Sequence, residues 1–145
     1  MTSKSGFTLV EVMLSVALLG AVTSLTAPVW LSMQSRNSLD IAATHIVHSL
    51  RRAGALSRAV AGDSSWGVAI DAERLTLFRG ATYASRDIAF DETFDFDWGV
   101  VSTGLSEVVL EKVTGRPSTT GTITLSTSSH DTRIITINDQ AMLEY

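Results

Sequence analysis

The sequence of 145 residues contains no cysteine and only two prolines. Without cysteine there is no disulfide framework, no thiolate nucleophile and no cysteine metal site. No proline lies between Val29 and Gly115, so no proline ends a helix in that stretch. These absences exclude cysteine chemistry and allow one long helix in the first half of the chain.

Charged residues are almost absent from the N-terminal part of the chain. Between Phe7 and Met33 the only charged residue is Glu11, and this run is long enough to cross a bilayer as a helix. A secretory signal peptide has a shorter apolar core and a small-residue cleavage site, whereas here Pro28 and Trp30 stand near the end of the run. A generic membrane anchor fits the length but leaves Glu11 unexplained, because a carboxylate within a membrane helix is costly.

A third interpretation accounts for both the length and the carboxylate. The segment Lys-Ser-Gly-Phe-Thr-Leu-Val-Glu, which ends at Glu11, resembles the prepilin signature of type IV pilins and type II secretion pseudopilins. In that family a membrane peptidase cuts after the glycine and methylates the new N-terminal residue. The resemblance implies cleavage between Gly6 and Phe7 and N-methylation of Phe7. It also implies an assembly role for Glu11, whose carboxylate neutralises the amine of a neighbouring subunit in an apolar layer.

The same resemblance implies a hinge and a set of partners. Gly20 and Pro28 stand where pilins also have a glycine and a proline. In pilins the helix between these two positions loosens, so the resemblance implies a hinge here. Membrane helices also tolerate both residues without any hinge, so that alternative stays open. The implied partners are a prepilin peptidase, other pilin or pseudopilin subunits, an inner-membrane assembly platform and the membrane. The implied location is the cytoplasmic membrane, crossed once, with the remaining domain on the periplasmic or extracellular side.

The chain beyond Met33 continues with a helical period. Apolar residues recur at spacings of three, four or seven, at Leu39, Ala43, Ile46, Leu50, Ala53 and Val60. The pattern predicts a helix that runs from Phe7 to about Ala61, where Gly62 and Asp63 end it. We therefore divide the chain into a leader (1–6), a transmembrane and filament-core helix (7–33), an amphipathic helix (34–62) and a β-rich head (63–145).

The head reads as a series of antiparallel strands. Residues 66–71 and 74–79 predict a hairpin, and the alternation of Phe94, Phe96 and Trp98 with aspartates predicts a half-buried strand. Further strands are predicted over 106–113, 122–126, 133–138 and 141–145. The predicted fold class is α+β, with a long N-terminal helix, half membrane-spanning and half amphipathic, packed against a C-terminal antiparallel β-sheet head.

The head resembles the H-type (FimT-like) minor pseudopilins more than the major pilins. The helix end Leu50-Arg51-Arg52-Ala53 and the terminal strand–turn–strand carry that resemblance. The closing turn of that family usually contains glycine, whereas Asn138-Asp139-Gln140-Ala141 has none. The implied function is a structural minor pilin or pseudopilin of a type IV pilus or a type II secretion filament. The alternative is a DNA-uptake minor pilin that binds DNA through its head.

Charge and side-chain chemistry limit the other functions of the head. From Asp63 to Tyr145 there are six basic and thirteen acidic residues, a net charge of −7, which argues against nucleic-acid binding. The nearest basic candidates for DNA contact are Lys112, Arg116 and Arg133. Asp91, Glu92, Asp95 and Asp97 are a weak calcium candidate, because their spacing matches no calcium-loop motif.

No catalytic site is predicted from the sequence, and no cofactor. His45 and His48 stand three residues apart on the amphipathic helix, without a carboxylate at ligand spacing. The tripeptide Ser129-His130-Asp131 contains the residue types of a catalytic triad, but three adjacent residues do not form triad geometry. We therefore expect a structural subunit, not an enzyme.

Overall fold

The computed structural model describes residues 6–97, 99–139 and 143–144, without the side chains of 24–32 and 143–144. The chain divides into an N-terminal unit, Met1–Gln34, and a C-terminal unit, Ser35–Tyr145. In the described part of the chain the elements are α1 (Leu9–Arg58), a short 3-10 helix (Ala61–Asp63), β1 (Trp66–Ile70), β2 (Arg74–Arg79), β3 (Asp87–Asp95), β4 (Val100–Gly104), β5 (Glu107–Leu110), β6 (Gly121–Thr127), β7 (Thr132–Ile137) and β8 (Leu143–Glu144).

Helix α1 begins two residues later than the sequence pattern predicts, at Leu9. Thr8 caps it: the Thr8 hydroxyl oxygen accepts a hydrogen bond from the Glu11 amide at 3.3 Å, and the Thr8 carbonyl accepts one from the Val12 amide at 3.2 Å. A threonine followed three residues later by a glutamate is a capping-box sequence. The apolar pattern does not show this start, because Phe7 is as apolar as the helix that follows.

The predicted membrane span of residues 7–33 includes side chains that lie outside the described residues. Within the described part of the chain, no helix combines the length and the apolar character needed to span a membrane. The membrane span stays a prediction.

Two antiparallel sheets form the β-rich part, where the sequence pattern suggested one. The strand orders are β3-β2-β1-β5 and β4-β6-β7-β8. The predicted β1–β2 hairpin is confirmed, with Trp66 opposite Arg79 and Ile70 opposite Leu75. The α+β arrangement of an N-terminal helix and C-terminal antiparallel sheets is therefore correct.

Strands β3 and β4 differ most from the sequence expectation. β3 begins at Asp87, well before the predicted alternation at Phe94, and β4 was not predicted. β3 lies at a sheet edge and its first four residues are exposed on both faces, so no apolar alternation marks them. Trp98 lies outside the described residues. So do Gln140, Ala141, Met142 and Tyr145, which leaves only Leu143 and Glu144 of the predicted final strand.

The core of the C-terminal unit lies between α1 and the two sheets. Its buried apolar residues come from all three elements. The helical members are Leu39, Ala42, Ala43, Ile46, Val47, Leu50 and Ala53. This stripe is wider than the predicted one, since side chains of both sheets belong to the same cluster. Val60, which the period assigned to the stripe, is not buried, because it follows the end of α1 with a left-handed φ of 53°.

A second, smaller cluster covers the other face of the first sheet. Ala69, Phe78 and Val109 are buried there, with Tyr83 of the β2–β3 loop packed against them. Phe78 lies over Gly67, where a Cβ atom would stand 2.5 Å from the ring. Glycine at position 67 is therefore a packing requirement, because any side chain would displace the buried ring.

The last turn of α1 is joined to the first sheet through Ser57. This fully buried hydroxyl donates to the Leu110 carbonyl at 2.9 Å and accepts from the Trp66 amide at 2.9 Å. The Ser57 carbonyl also accepts from the Val113 amide at 3.0 Å. One side chain thus satisfies backbone groups of β1 and β5, which would otherwise be buried without partners.

We expect Ser57→Ala to destabilise the fold, because it leaves two buried backbone groups unsatisfied. The expected loss is about 1–3 kcal/mol in the free energy of unfolding. Urea unfolding of the detergent-solubilised chain, followed by tryptophan fluorescence, measures it. Ser128→Ala, at an exposed turn, is the matched control and should change stability by less than about 0.5 kcal/mol. Equal stability of the two variants would contradict the role assigned to Ser57.

Candidate functional site

The predicted cleavage point lies in a short segment just before α1. Gly6, Phe7 and Thr8 are non-helical and exposed, and a Cβ atom added to Gly6 would meet nothing within 4 Å. The Phe7 side chain is 82% exposed. The peptide bond between Gly6 and Phe7 is therefore accessible in the part of the chain that the structure describes, and no packing within that part explains why position 6 is glycine.

Glu11 lies in the first turn of α1, where the unpaired amides of a helix favour a negative charge. Its side chain is exposed. Glu11 is the only acidic or basic residue between Phe7 and Gln34. The described part of the N-terminal helix therefore combines one exposed carboxylate, close to the predicted cleavage point, with an apolar surface.

That apolar surface is large and exposed on all sides of the helix. The exposed large side chains are Phe7, Leu9, Val10, Val12, Met13, Leu14, Val16, Leu18, Leu19 and Val22. The hydroxyl of Ser15 donates to the Glu11 carbonyl and that of Thr23 to the Leu19 carbonyl, so both are satisfied by the helix backbone. A soluble monomer rarely exposes so extensive an apolar patch, and such a patch marks a surface for lipid or protein.

The predicted hinge is only partly covered by the structure. Gly20 is exposed within α1, and nothing would stand within 4 Å of an added Cβ atom. The side chain of Pro28 lies outside the described residues. The hinge between them stays a prediction.

The four residues of the calcium candidate do not converge in the structure. Asp91 pairs with Arg86, Glu92 with Arg52 and Asp95 with Arg74, at 2.7, 2.5 and 2.6 Å, whereas Asp97 accepts a hydrogen bond from the Ser38 hydroxyl at 2.9 Å. Successive residues of β3 point to opposite faces, which separates Asp91 from Glu92. Among the described residues no group of three or more acidic, histidine or cysteine side chains is placed to hold a metal ion.

His45 and the Ser129-His130-Asp131 tripeptide, whose side chains are of catalytic types, make structural contacts. The His45 ring stacks on Phe94, with ring centroids 5.2 Å apart. Ser129, His130 and Asp131 lie between β6 and β7, where the Ser129 hydroxyl contacts the Ser35 hydroxyl at 2.7 Å and His130 has a left-handed φ of 65°. The Ser129 hydroxyl reaches Asp131 and not the imidazole, so this turn does not have the geometry of a triad.

Two of the three candidate DNA contacts are neutralised by carboxylates. Lys112 pairs with Asp63 at 2.5 Å, and Arg133 with Asp40 at 2.8 Å. Arg116 is exposed and makes no ion pair with a described residue. The three basic residues therefore leave one unpaired charge for a phosphate backbone, which is a weak footprint for DNA binding.

The Lys112–Asp63 pair predicts a measurable titration. The hydrogen bond from Lys112, followed by its charge, lowers the pKa of the Asp63 carboxyl below its ordinary value of 3.8. Because the folded-state pKa is depressed, the stabilising contribution of the pair is present above about pH 4 and lost as the pH falls through the lowered pKa. In an NMR titration we expect Lys112→Met to raise the Asp63 midpoint towards 3.8, and Arg116→Met to leave it unchanged. An unchanged midpoint in Lys112→Met would contradict the pairing.

Two surface features of the C-terminal unit were not predicted from the sequence. A cavity of about 830 Å³ lies beside the turn between β1 and β2, with Asp71, Glu73 and Asp97 in its wall. A smaller hollow of about 80 Å³ lies between the end of α1 and β5, with Arg51 and Arg58 in its wall. Each feature combines residues that are distant in the sequence, so no local motif indicates it.

Comparison with known proteins supports the interpretation of the N-terminus. Residues 1–27 match the protein family described as the prokaryotic N-terminal methylation motif. Neither the curated proteins nor the solved structures contain a significant match to the chain. The match supports a prepilin-type processing motif at residues 1–27, and the α+β arrangement of N-terminal helix and C-terminal sheets is a pilin-like one. More specifically, the motif implies a pilin or pseudopilin that a prepilin peptidase processes.

Proposed function

We propose that the chain is a minor pilin or pseudopilin, cut between Gly6 and Phe7, methylated at Phe7 and assembled into a filament through its N-terminal helix. The observation that carries this proposal is the methylation motif of residues 1–27, followed directly by an exposed apolar helix with a single carboxylate. A structural subunit needs no catalytic site, and the motif is typical of structural, non-enzymatic proteins.

The assembly step follows from the charges that cleavage produces. Cutting after Gly6 creates a positively charged amine on Phe7, next to the apolar surface of α1. When that surface is buried against lipid or sister helices, an unpaired amine costs desolvation free energy, and so does an unpaired carboxylate. Pairing the Phe7 amine of one subunit with Glu11 of a neighbour removes both costs at once, and it favours one register between the two helices.

The membrane is the place where this assembly starts. Before assembly, the apolar side chains of residues 7–22 need an apolar environment, and the cytoplasmic membrane supplies it. In the proposed topology the helix crosses that membrane once, and the C-terminal unit lies on the outer side. An assembly platform in the same membrane and the other pilin subunits are the proposed partners.

Co-expression with a prepilin peptidase tests the proposal. We expect mass spectrometry of the purified chain to show loss of residues 1–6 and a gain of one methyl group on Phe7. We also expect the processed chain to sediment with sheared filaments when the other subunits of a pilus or secretion filament are present. A chain that keeps Met1 under these conditions would overturn the proposed function.

The alternative, a DNA-uptake subunit, has less support from the structure, because Lys112 and Arg133 are paired with carboxylates. Fluorescence anisotropy of labelled duplex DNA, titrated with the detergent-solubilised full chain at two salt concentrations, separates the two functions. Salt-sensitive binding that Arg116→Ala abolishes would favour the alternative. We expect no such binding.

A further inference from the structure

Six of the ten basic side chains of the C-terminal unit form ion pairs with described residues. Six ion pairs join basic side chains of α1, the sheets and the loops to carboxylates of the same unit. Arg51 and Arg58 are exposed and belong to none of these pairs, and neither makes a side-chain hydrogen bond to a described residue. The neighbouring Arg52, in contrast, binds Glu92 through two guanidinium nitrogens. The guanidinium groups of Arg51 and Arg58 are therefore available to a partner.

The two guanidiniums border the small hollow at the end of α1. We call it the arginine hollow: it is lined by Leu50, Arg51, Gly54, Arg58, Val108, Leu110 and Ile137. Its apolar members are buried in the core of the C-terminal unit. Gly54 is in its wall beside Arg58, since a Cβ atom there would stand in ordinary van der Waals contact, 3.4 Å from an Arg58 nitrogen. The volume of about 80 Å³ suits a small apolar group, and the rim suits carboxylates.

The matching chemistry lies in the turn between β1 and β2. We call Asp71, Ala72 and Glu73 the acidic turn; all three residues are exposed. The side chains of Asp71 and Glu73 make no ion pair or hydrogen bond to a described residue. An exposed alanine between two unpaired carboxylates has the size and the charge that the arginine hollow accepts.

Backbone hydrogen bonds from both sheets hold the acidic turn in place. The Ala72 carbonyl accepts from the Ser102 amide of β4, and the Glu73 carbonyl accepts from the Phe96 amide that follows β3, both at 2.9 Å. The Asp71 amide donates to the Arg74 carbonyl at 2.8 Å. The turn is therefore preorganised, so a partner that binds it has little conformational entropy to remove.

The arginine hollow and the acidic turn of one molecule do not meet. Leu110 of the hollow lies opposite Trp66 at the start of β1, whereas the acidic turn follows the end of β1. About five residues of strand, roughly 15 Å, lie between these two points. A contact between hollow and turn therefore requires two molecules.

We propose that the arginine hollow of one copy binds the acidic turn of a second copy of this chain. Asp71 and Glu73 pair with Arg51 and Arg58 across the contact, and the Ala72 methyl group lies on the apolar floor. The two surfaces differ, so the contact leaves a free turn on one copy and a free hollow on the other, and it repeats as an open chain wherever the rotation between copies does not close a ring. The inference rests on the proposed function as a filament subunit, and it adds a contact outside the N-terminal helix.

Disulfide cross-linking tests the contact, since the chain has no cysteine of its own. Arg58→Cys and Ala72→Cys are combined in the full-length chain, expressed in membranes together with a prepilin peptidase and mildly oxidised. We expect a ladder of cross-linked species on a non-reducing gel. The control combines Ala72→Cys with Thr93→Cys, because Thr93 is exposed on the edge strand β3, away from the hollow, and should give about tenfold less product.

Charge reversal in the same cysteine pair tests the chemistry of the contact. Arg51→Glu should lower the cross-link yield about tenfold, because it places a carboxylate against the acidic turn. Adding Asp71→Arg, at the partner of position 51, should restore the yield to within about twofold, which a misfolded variant would not show. A yield no higher than that of the control pair, or a yield that ignores the charge reversal, would overturn the inference. The same gel shows whether residues 1–6 are removed, so failure of the proposed function is read separately.

Discussion

Gly6→Val should leave the chain at its full length, with residues 1–6 attached, when a prepilin peptidase is present. Gly6 is exposed, and a Cβ atom added to it would meet nothing within 4 Å, so the substitution disturbs no packing among the described residues. A peptidase that takes an extended residue without a side chain beside the scissile bond would exclude a β-branched residue. We expect cleavage to slow by at least roughly a hundredfold, since each added carbon in a close-fitting site costs about tenfold and valine adds several.

Gly6→Ala is the matched control for this result. One methyl group should slow cleavage by no more than about tenfold, so the shortened chain still accumulates during growth. Pulse-labelling, with the two chain lengths separated on a gel, measures both variants. Normal cleavage of Gly6→Val would show that the cut does not follow Gly6, and the assignment of Phe7 as the mature N-terminus would then be lost.

Glu11→Gln should separate processing from assembly. The glutamine has the same size and the same place in the first turn of α1, and the amide of residue 11 still donates to Thr8. Cleavage should therefore proceed normally. Without the carboxylate, the amine of a neighbouring subunit is left uncompensated among apolar side chains, and we expect incorporation into filaments to fall at least about a hundredfold.

The readout for Glu11→Gln is the share of processed chain in the sheared filament fraction, compared with the membrane fraction. Ser15→Ala, one turn along the same helix, is a suitable control because its hydroxyl bonds only to the helix backbone. The control should assemble normally. Normal assembly of Glu11→Gln would remove the charge-pairing mechanism and leave apolar packing as the basis of assembly.

How much of this structure the sequence predicts depends on how far apart the interacting residues lie. Gly6, Phe7 and Glu11 are within six positions of each other, so the whole motif is visible in one short window. The β1–β2 hairpin is equally local, and its register follows from two alternating segments joined by a three-residue turn. The buried stripe of α1 follows from its period, because one face of the helix meets the core.

The features that sequence reasoning missed depend on distant residues or on exposure. The first half of β3 is exposed on both faces, so its residues show no alternation. The ion pair between Arg52 and Glu92 joins positions forty apart, and no short sequence pattern indicates that these two charges are neutralised. The arginine hollow is formed by α1, β5 and β7 together, so no single segment of the sequence indicates it. Two of its seven residues, Arg51 and Arg58, are of interest only because they form no ion pair with a described residue, and the sequence does not show which arginines are paired.

The Thr8 cap has a consequence for the mature protein. Cleavage after Gly6 would leave a single residue, Phe7, in front of the capping threonine. The processed chain then has no loose tail: its new amine lies within two residues of the first helical turn. That amine adds its charge to the positive pole of the helix, so the mature tip concentrates positive charge at a fixed position. Removal of the leader would therefore place a positive charge at a fixed position at the start of α1. A carboxylate on the neighbouring subunit can pair with it there.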